Sequence, residues 1–301
     1  MKMFRWEKRI LPVLVLAVGL YGTSWAEDQK GIDAGLVRQV QNAEMGGRMN
    51  MEESMQAKKY IENHFDGEPF GLEKADSEFS ALFSNFAFDE VIRESKLDEQ
   101  TRFLAILSAL MGCGGEDAFR TMAAGALKSG VSPAALKETV YQGTAYLGIG
   151  RTLPFLHILN DVLQKQGIGQ PLPERGTVDA DTRIEAGNQA QADIFGVQMK
   201  GFQNSGPEET RHINRWLAGN CFGDYYTRKG LDYRQRELIT FCFLAAQGGC
   251  EPQLTAHAAG NLKVGNSKAF LIDVVSQCLP YIGYPRALNA LRCINEAAAA
   301  K

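Results

Sequence analysis

Three residues in the C-terminal third have types and spacing that could do chemistry: Glu237, Cys250 and His257. Cys250, Gln253 and His257 stand at i, i+3 and i+7, one face of a helix that opens around Pro252. A histidine with a carboxylate partner is the equipment of general acid/base catalysis. A cysteine just ahead of a helix start is a candidate nucleophile, because the positive end of the helix favours its thiolate. Each residue alone also has a plainer reading. Glu237 could be a solvent-facing carboxylate near a helix start, His257, between Ala256 and Ala258, a structural histidine, and Cys250 an inert thiol.

The chain supplies its own comparison. With Leu97-Asp98 laid on Leu231-Asp232, Phe88 falls on Phe222, Arg102 on Arg236, Leu110 on Leu244 and Gly115 on Gly249. After one inserted residue the match continues through Gly125/Gly260, Lys128/Lys263, Gln142/Gln277, Tyr146/Tyr281, Gly148/Gly283 and Arg151/Arg286. That is an internal duplication. A position that is apolar in one copy of a shared fold faces inward in the other, and here Phe103 corresponds to Glu237 and Met122 to His257. Two interior positions therefore turn polar together in the second copy, as a paired acid/base site requires, since a buried carboxylate needs a partner. The first copy lacks both and reads as scaffold.

The elements that must position these residues are helices. Glycines punctuate each copy into three, over 98–111, 116–129 and 134–147 and again over 232–247, 252–264 and 268–282. Ser132-Pro133 supplies an N-cap followed by proline in the first turn. Alternating Val/Ile/Thr runs are scarce, so strands are not expected and the fold class is all-α. Segments 103–110 and 238–246 are apolar nearly all round and must be buried on every side, as at an oligomer interface. The domains follow: an arm over 27–75 with a helix near 51–64, a first domain over 76–166, a linker and connecting helix over 167–199 with Pro171 and Pro173, and a second domain over 200–301.

Residues 1–26 have a basic start (Lys2, Arg5, Lys8, Arg9), an apolar run from Ile10 to Tyr21, and Ser24 and Ala26 around Trp25. They read as a signal peptide cleaved after Ala26, so the protein is expected to be exported, to the periplasm or beyond, without a stable membrane anchor. Removing them takes four basic side chains and one acidic one from totals of 32 and 35, leaving 28 against 34 and a net charge of −6. A mildly acidic chain without a basic patch argues against nucleic acid as a partner and for a small molecule. All six cysteines lie beyond Ala26, where an oxidising compartment permits disulfides, but Cys242 and Cys278 sit in apolar helical runs that suit a buried thiol.

The ordered set Phe222-Gly223-Asp224, Leu231-Asp232, Arg236-Glu237-Leu238, Gly249-Cys250-Glu251-Pro252, His257 and Tyr281-Ile282-Gly283-Tyr284-Pro285-Arg286 resembles the carboxymuconolactone decarboxylase family, which includes the alkylhydroperoxidase D-like proteins. The resemblance spans about 78–165 and 200–297. It implies two tandem alkylhydroperoxidase D-like helical domains, no cofactor and no metal, and a homo-oligomer, here a trimer of two-domain chains. In the decarboxylase branch it implies loss of carbon dioxide from a carboxylated butenolide lactone to give 3-oxoadipate enol-lactone, with His257 moving the proton and Glu237 orienting it. Tyr281, Gln277 and Arg286 have counterparts in the first copy (Tyr146, Gln142, Arg151), which favours a structural role for them. The peroxidase branch implies Cys-x-x-Cys with a histidine four residues on. This chain has Gln253 where the resolving cysteine belongs, which counts against dithiol chemistry. Three readings follow: a decarboxylase-like enzyme on a small lactone or carboxylic acid, a thiol-dependent antioxidant protein centred on Cys250, and a non-catalytic binding or assembly protein.

Overall fold

The structure, a computed structural model, describes residues 52–300. The signal peptide, its cleavage point and the arm up to residue 51 lie outside the described residues. Those described are helical, with no strand among them. Helix α1 is Met55–His64, and α2 (Ser77–Asn85) runs through a π-helical turn, Phe86–Glu90, into Val91–Arg93. Helices α3 (Glu99–Cys113), α4 (Glu116–Lys128), α5 (Pro133–Leu147) and α6 (Ile149–Lys165) complete the first repeat. The second repeats the order: α7 (Arg183–Phe195), α8 (Arg211–Trp216) continuing as the π-helix Leu217–Tyr226, then α9 (Tyr233–Gln247), α10 (Glu251–Lys263), α11 (Lys268–Ile282) and α12 (Tyr284–Ala299).

Side-chain caps fix the starts of the three-helix units. Asp98 and Ser132 accept from the amides of Thr101 and Ala135, Ser267 from that of Phe270, and Asp232 forms a capping box with Gln235. Cys250 precedes α10 with no such bond. A residue in the left-handed region ends α3 at Gly114, where φ is 80°.

The two all-round apolar helices are buried mainly against each other. Helix α3 packs along α9, and a Cβ on Gly112 would stand 2.6 Å from Phe243 O and 2.8 Å from the Ala246 Cβ. The interface expected between subunits thus lies within the chain, because duplication has brought both partners into one polypeptide. The repeats also exchange polar contacts across this seam. Arg102 Nε donates to Gln277 Oε1 at 2.9 Å, and Arg236 Nη1 donates to Gln142 Oε1 at 2.8 Å. Gln277 and Gln142 are therefore structural, each holding the buried arginine of the other repeat.

Residues 55–65, assigned above to an arm, pack into the first core through Ala57, Tyr60, Ile61 and Phe65. They match α7 in position, since Phe65 lies on Gly125 as Phe195 lies on Gly260. The duplication thus reaches back to this helix, where sequence similarity has decayed. Among the described residues no helix is long and apolar enough to cross a membrane.

Candidate active site

Helix α9 carries Glu237 and α10 carries His257, and their packing brings the two side chains together. His257 Nδ1 lies 2.8 Å from Glu237 Oε2, with Glu237 fully buried and the His257 side chain 11% exposed. The other ring nitrogen, Nε2, has no hydrogen-bond partner among the described residues. A carboxylate on Nδ1 fixes the ring's orientation and leaves Nε2 to face a reacting group.

Glu237's second oxygen is equally committed. Tyr226, the last residue of the π-helix, donates to Oε1 at 2.9 Å, and its hydroxyl also lies 2.6 Å from Thr240 Oγ1 and 2.8 Å from the Tyr146 hydroxyl. Glycines make this reach possible. A Cβ on Gly187 would collide with Ala218 O and one on Gly223 with Arg183 O, so only bare backbone lets α7 and the π-helix lie this close. Gln142 donates to Thr240 Oγ1 at 2.9 Å, and Arg236 Nη2 reaches Glu138 Oε2 at 3.2 Å, extending the network into the first repeat. Asn261 Nδ2 donates to the carbonyls of Glu237 (2.8 Å) and His257 (2.9 Å), tying α9 to α10 at the site.

The walls are aromatic. The Tyr146 and Phe195 rings meet the His257 ring edge-on, with centroids 5.4 and 5.3 Å away. Phe195 and the missing side chain of Gly260 cover the carboxylate: a Cβ there would lie 2.7 Å from Glu237 Oε2 and 2.8 Å from Phe195 Cε1. Burial holds the Tyr226 and Tyr146 phenols well above their ordinary range, and the Glu237 charge pushes both the same way. Burial also pushes the Cys221 thiol up to about 12, although Tyr146 accepts its hydrogen bond. The Tyr226 and Tyr146 phenols and the Cys221 thiol are thus neutral at physiological pH.

Cys250 stands apart from the pair. Its thiol donates to Leu244 O at 3.5 Å and has no contact with Glu237 or His257 among the hydrogen bonds of the described residues. Seven residues of helix put it about 10 Å along the axis from His257. The thiolate expected at this helix start is not favoured. Burial raises the Cys250 thiol, and the neighbouring Glu251 and Cys293 raise it further, outweighing the helix end. All six cysteines are free. Tyr281 sits in the first repeat's equivalent place, edge-on to Phe83, its hydroxyl buried and without a hydrogen-bond partner among the described residues. Among the described residues no group of three or more His, Cys, Asp or Glu side chains gathers to hold a metal.

Tyr226, Thr240, Asn261, Tyr146 and Phe195 were not singled out as site residues from the sequence. The first three carry the same signal as Glu237: Ile92, Ile106 and Ala126 stand at their places in the first repeat. Tyr146 has a tyrosine counterpart, and Phe195 lies beyond the recognisable repeat, so neither carried that signal.

Comparison with known proteins agrees with this architecture. The family model described as carboxymuconolactone decarboxylase family matches residues 77–161 and 212–296, one match per repeat and more than half of the chain together. The chain belongs to the carboxymuconolactone decarboxylase family. A 4-carboxymuconolactone decarboxylase from Acinetobacter baylyi is 27% identical over 118 residues, which is 39% of this chain and 86% of that protein. A crystal structure of a protein described as a gamma-carboxymuconolactone decarboxylase subunit, from Burkholderia xenovorans, aligns over 82% of this chain and 97% of its own at 17% identity with a TM-score of 0.46. The first repeat of this chain contributes Tyr146, Gln142 and Glu138 to the surroundings of the Glu237–His257 contact, both of whose residues belong to the second.

Proposed function

We propose that this protein is an acid/base enzyme acting on a small lactone or carboxylic acid, and that its reaction is cofactor-free decarboxylation of a carboxylated butenolide such as 4-carboxymuconolactone. The observation that carries this reading is the buried 2.8 Å contact between His257 Nδ1 and Glu237 Oε2, which leaves Nε2 unpartnered. The bond between ring carbon and carboxylate breaks, carbon dioxide leaves, and the electron pair delocalises into the lactone. Protonated Nε2 then gives its proton to the carbon, and solvent reprotonates His257. Glu237 stabilises the imidazolium at each turn, and Tyr226 holds the carboxylate through its other oxygen. The relative from Acinetobacter baylyi supports the substrate class by its name.

The test is direct. The purified protein is mixed with 4-carboxymuconolactone, and lactone loss and carbon dioxide release are followed beside His257→Ala and Glu237→Gln. General acid/base groups contribute roughly 10²–10⁴-fold, so losses of that size are expected. No turnover by the unaltered protein, or equal turnover by His257→Ala, overturns the reading.

Export and self-assembly belong to the same proposal. A trimer of two-repeat chains is supported by large apolar side chains exposed at equivalent places in both repeats, Phe79 with Ile213, Leu82 with Trp216, and Leu153 with Leu288.

A further inference from the structure

The linker and the turn after the π-helix run antiparallel to each other. Lys229 N donates to Arg175 O at 3.0 Å, and Thr177 Oγ1 donates to Thr227 O at 2.9 Å. This pairing sets two arginines side by side. Arg228 Nη1 lies 3.9 Å from where a Cβ on Gly176 would stand, and Arg175 Nη1 lies 3.9 Å from where one on Gly230 would stand, so each guanidinium rests against the other's segment. The same position on Gly230 is 3.3 Å from Glu138 Cγ, which puts both arginines beside one carboxylate.

That carboxylate is already committed. Both Glu138 oxygens accept from Arg228 Nε at 3.0 Å, and Oε2 also accepts from Arg236 Nη2 at 3.2 Å. Arg175 is left over: among the described residues its guanidinium has no hydrogen-bond or ion-pair partner, although its Nε is buried. Glu174 beside it is exposed and forms no ion pair with either arginine among the described residues. A guanidinium donor withdrawn from water without an acceptor is costly, so the arrangement calls for an anion. The anion can reach it, because Arg175 is half-buried and the Arg228 side chain is 23% exposed, its head 5.3 Å from the centre of the Tyr141 ring.

The duplication supplies a contrast. In the second repeat Arg228 and Arg236 against Glu138 leave a charge of +1, which Arg175 raises to +2. At the equivalent places in the first repeat Arg102 stands against Glu94 and Asp273, a charge of −1, and Asp273 Oδ2 accepts from the Lys96 amide at 2.6 Å. The surplus of positive charge thus belongs to one copy and is no requirement of the shared fold.

We infer that Arg175 and Arg228 form a binding site for a small oxyanion, a carboxylate or phosphate group, separate from the Glu237–His257 pair. The two guanidinium forks offer it charge-assisted hydrogen bonds from nitrogens that no other described residue uses. The site stands whatever reaction the pair performs.

The experiment titrates inorganic phosphate and succinate by calorimetry into the unaltered protein, Arg175→Gln and Lys229→Gln, with sodium chloride at matched ionic strength as the blank. At least one of the two anions is expected to bind, and which one does so tells a phosphate ligand from a carboxylate. Arg175→Gln should weaken that binding roughly tenfold or more, the worth of a hydrogen bond from a charged group. Lys229→Gln removes an exposed charge from the same turn and should leave the affinity within about twofold. Arg175 has no side-chain bond among the described residues for the substitution to break, so the variant keeps the fold. The anion that binds should also raise Tm above the chloride blank in the unaltered protein and not in Arg175→Gln. Binding of neither anion, binding that survives Arg175→Gln, or an equal loss in Lys229→Gln overturns the inference.

Discussion

Alanine at Gly260 tests whether the contact between Glu237 and His257 is set by the missing side chain on α10. The added Cβ would stand 2.7 Å from Glu237 Oε2 and 2.8 Å from Phe195 Cε1, so each must retreat by about 0.7 Å to reach ordinary contact. Overpacking of this kind costs about 1–3 kcal/mol, and the better helix propensity of alanine returns about 1 kcal/mol. The net destabilisation, about 0–2 kcal/mol, lowers Tm by at most roughly 8 °C in a chain of this size. The chemistry should suffer more, because a displacement of about 1 Å can cost roughly 10²-fold, which puts the loss in kcat near tenfold. Gly125→Ala is the internal control. Its Cβ would meet Phe65 Cε1 at 2.6 Å and His64 O at 3.2 Å, a comparable clash in the repeat that lacks the pair. Melting curves and turnover on both variants decide the matter. A Gly260→Ala protein as active as Gly125→Ala would refute the claim that bare backbone at this position sets the pair.

Glu138 is 1% exposed and is the carboxylate facing fully buried Arg236, so Glu138→Ala should destabilise the fold by about 3–5 kcal/mol, read as a fall in the denaturation midpoint. An unchanged midpoint would mean that Arg228 O and Gln142 satisfy the arginine without it. Cys221, Tyr146 and Tyr226 have raised folded-state pKa values, so the stability they confer is complete below the unfolded thiol value near pH 8.5 and is lost as pH rises toward about 12. Tm should be level from pH 7 to 8 and fall above pH 9; a flat profile to pH 11 would contradict the burial argument. Cys250, raised by burial, should react with iodoacetamide at pH 7 more slowly than free cysteine, and faster alkylation there would restore the thiol reading.

Much of the fold was legible because a duplicated chain is its own alignment. The cap at Ser132 and the glycines that punctuate the helices are local chemistry, and they placed the three-helix units within a residue or two. The pairing of Glu237 with His257 was legible for the same reason. Phe103 and Met122 marked both positions as interior, and a buried carboxylate requires a partner. Sequence comparison could not reach α1, whose tie to α7 survives only in shape, or Tyr146, which matches a tyrosine and so gives no contrast.

Tertiary structure alone decided that the apolar faces of α3 and α9 cover each other, that the first repeat supplies part of the second repeat's site, and that Cys250 stands away from it. It also decided that Lys128 meets Asp66 while Lys263 has no ion pair among the described residues. Sequence sets local helix starts, periodicity and polarity, which depend on neighbours along the chain. Which buried groups meet depends on contacts between residues about 100 positions apart, such as Gln142 with Arg236, and no local pattern encodes those.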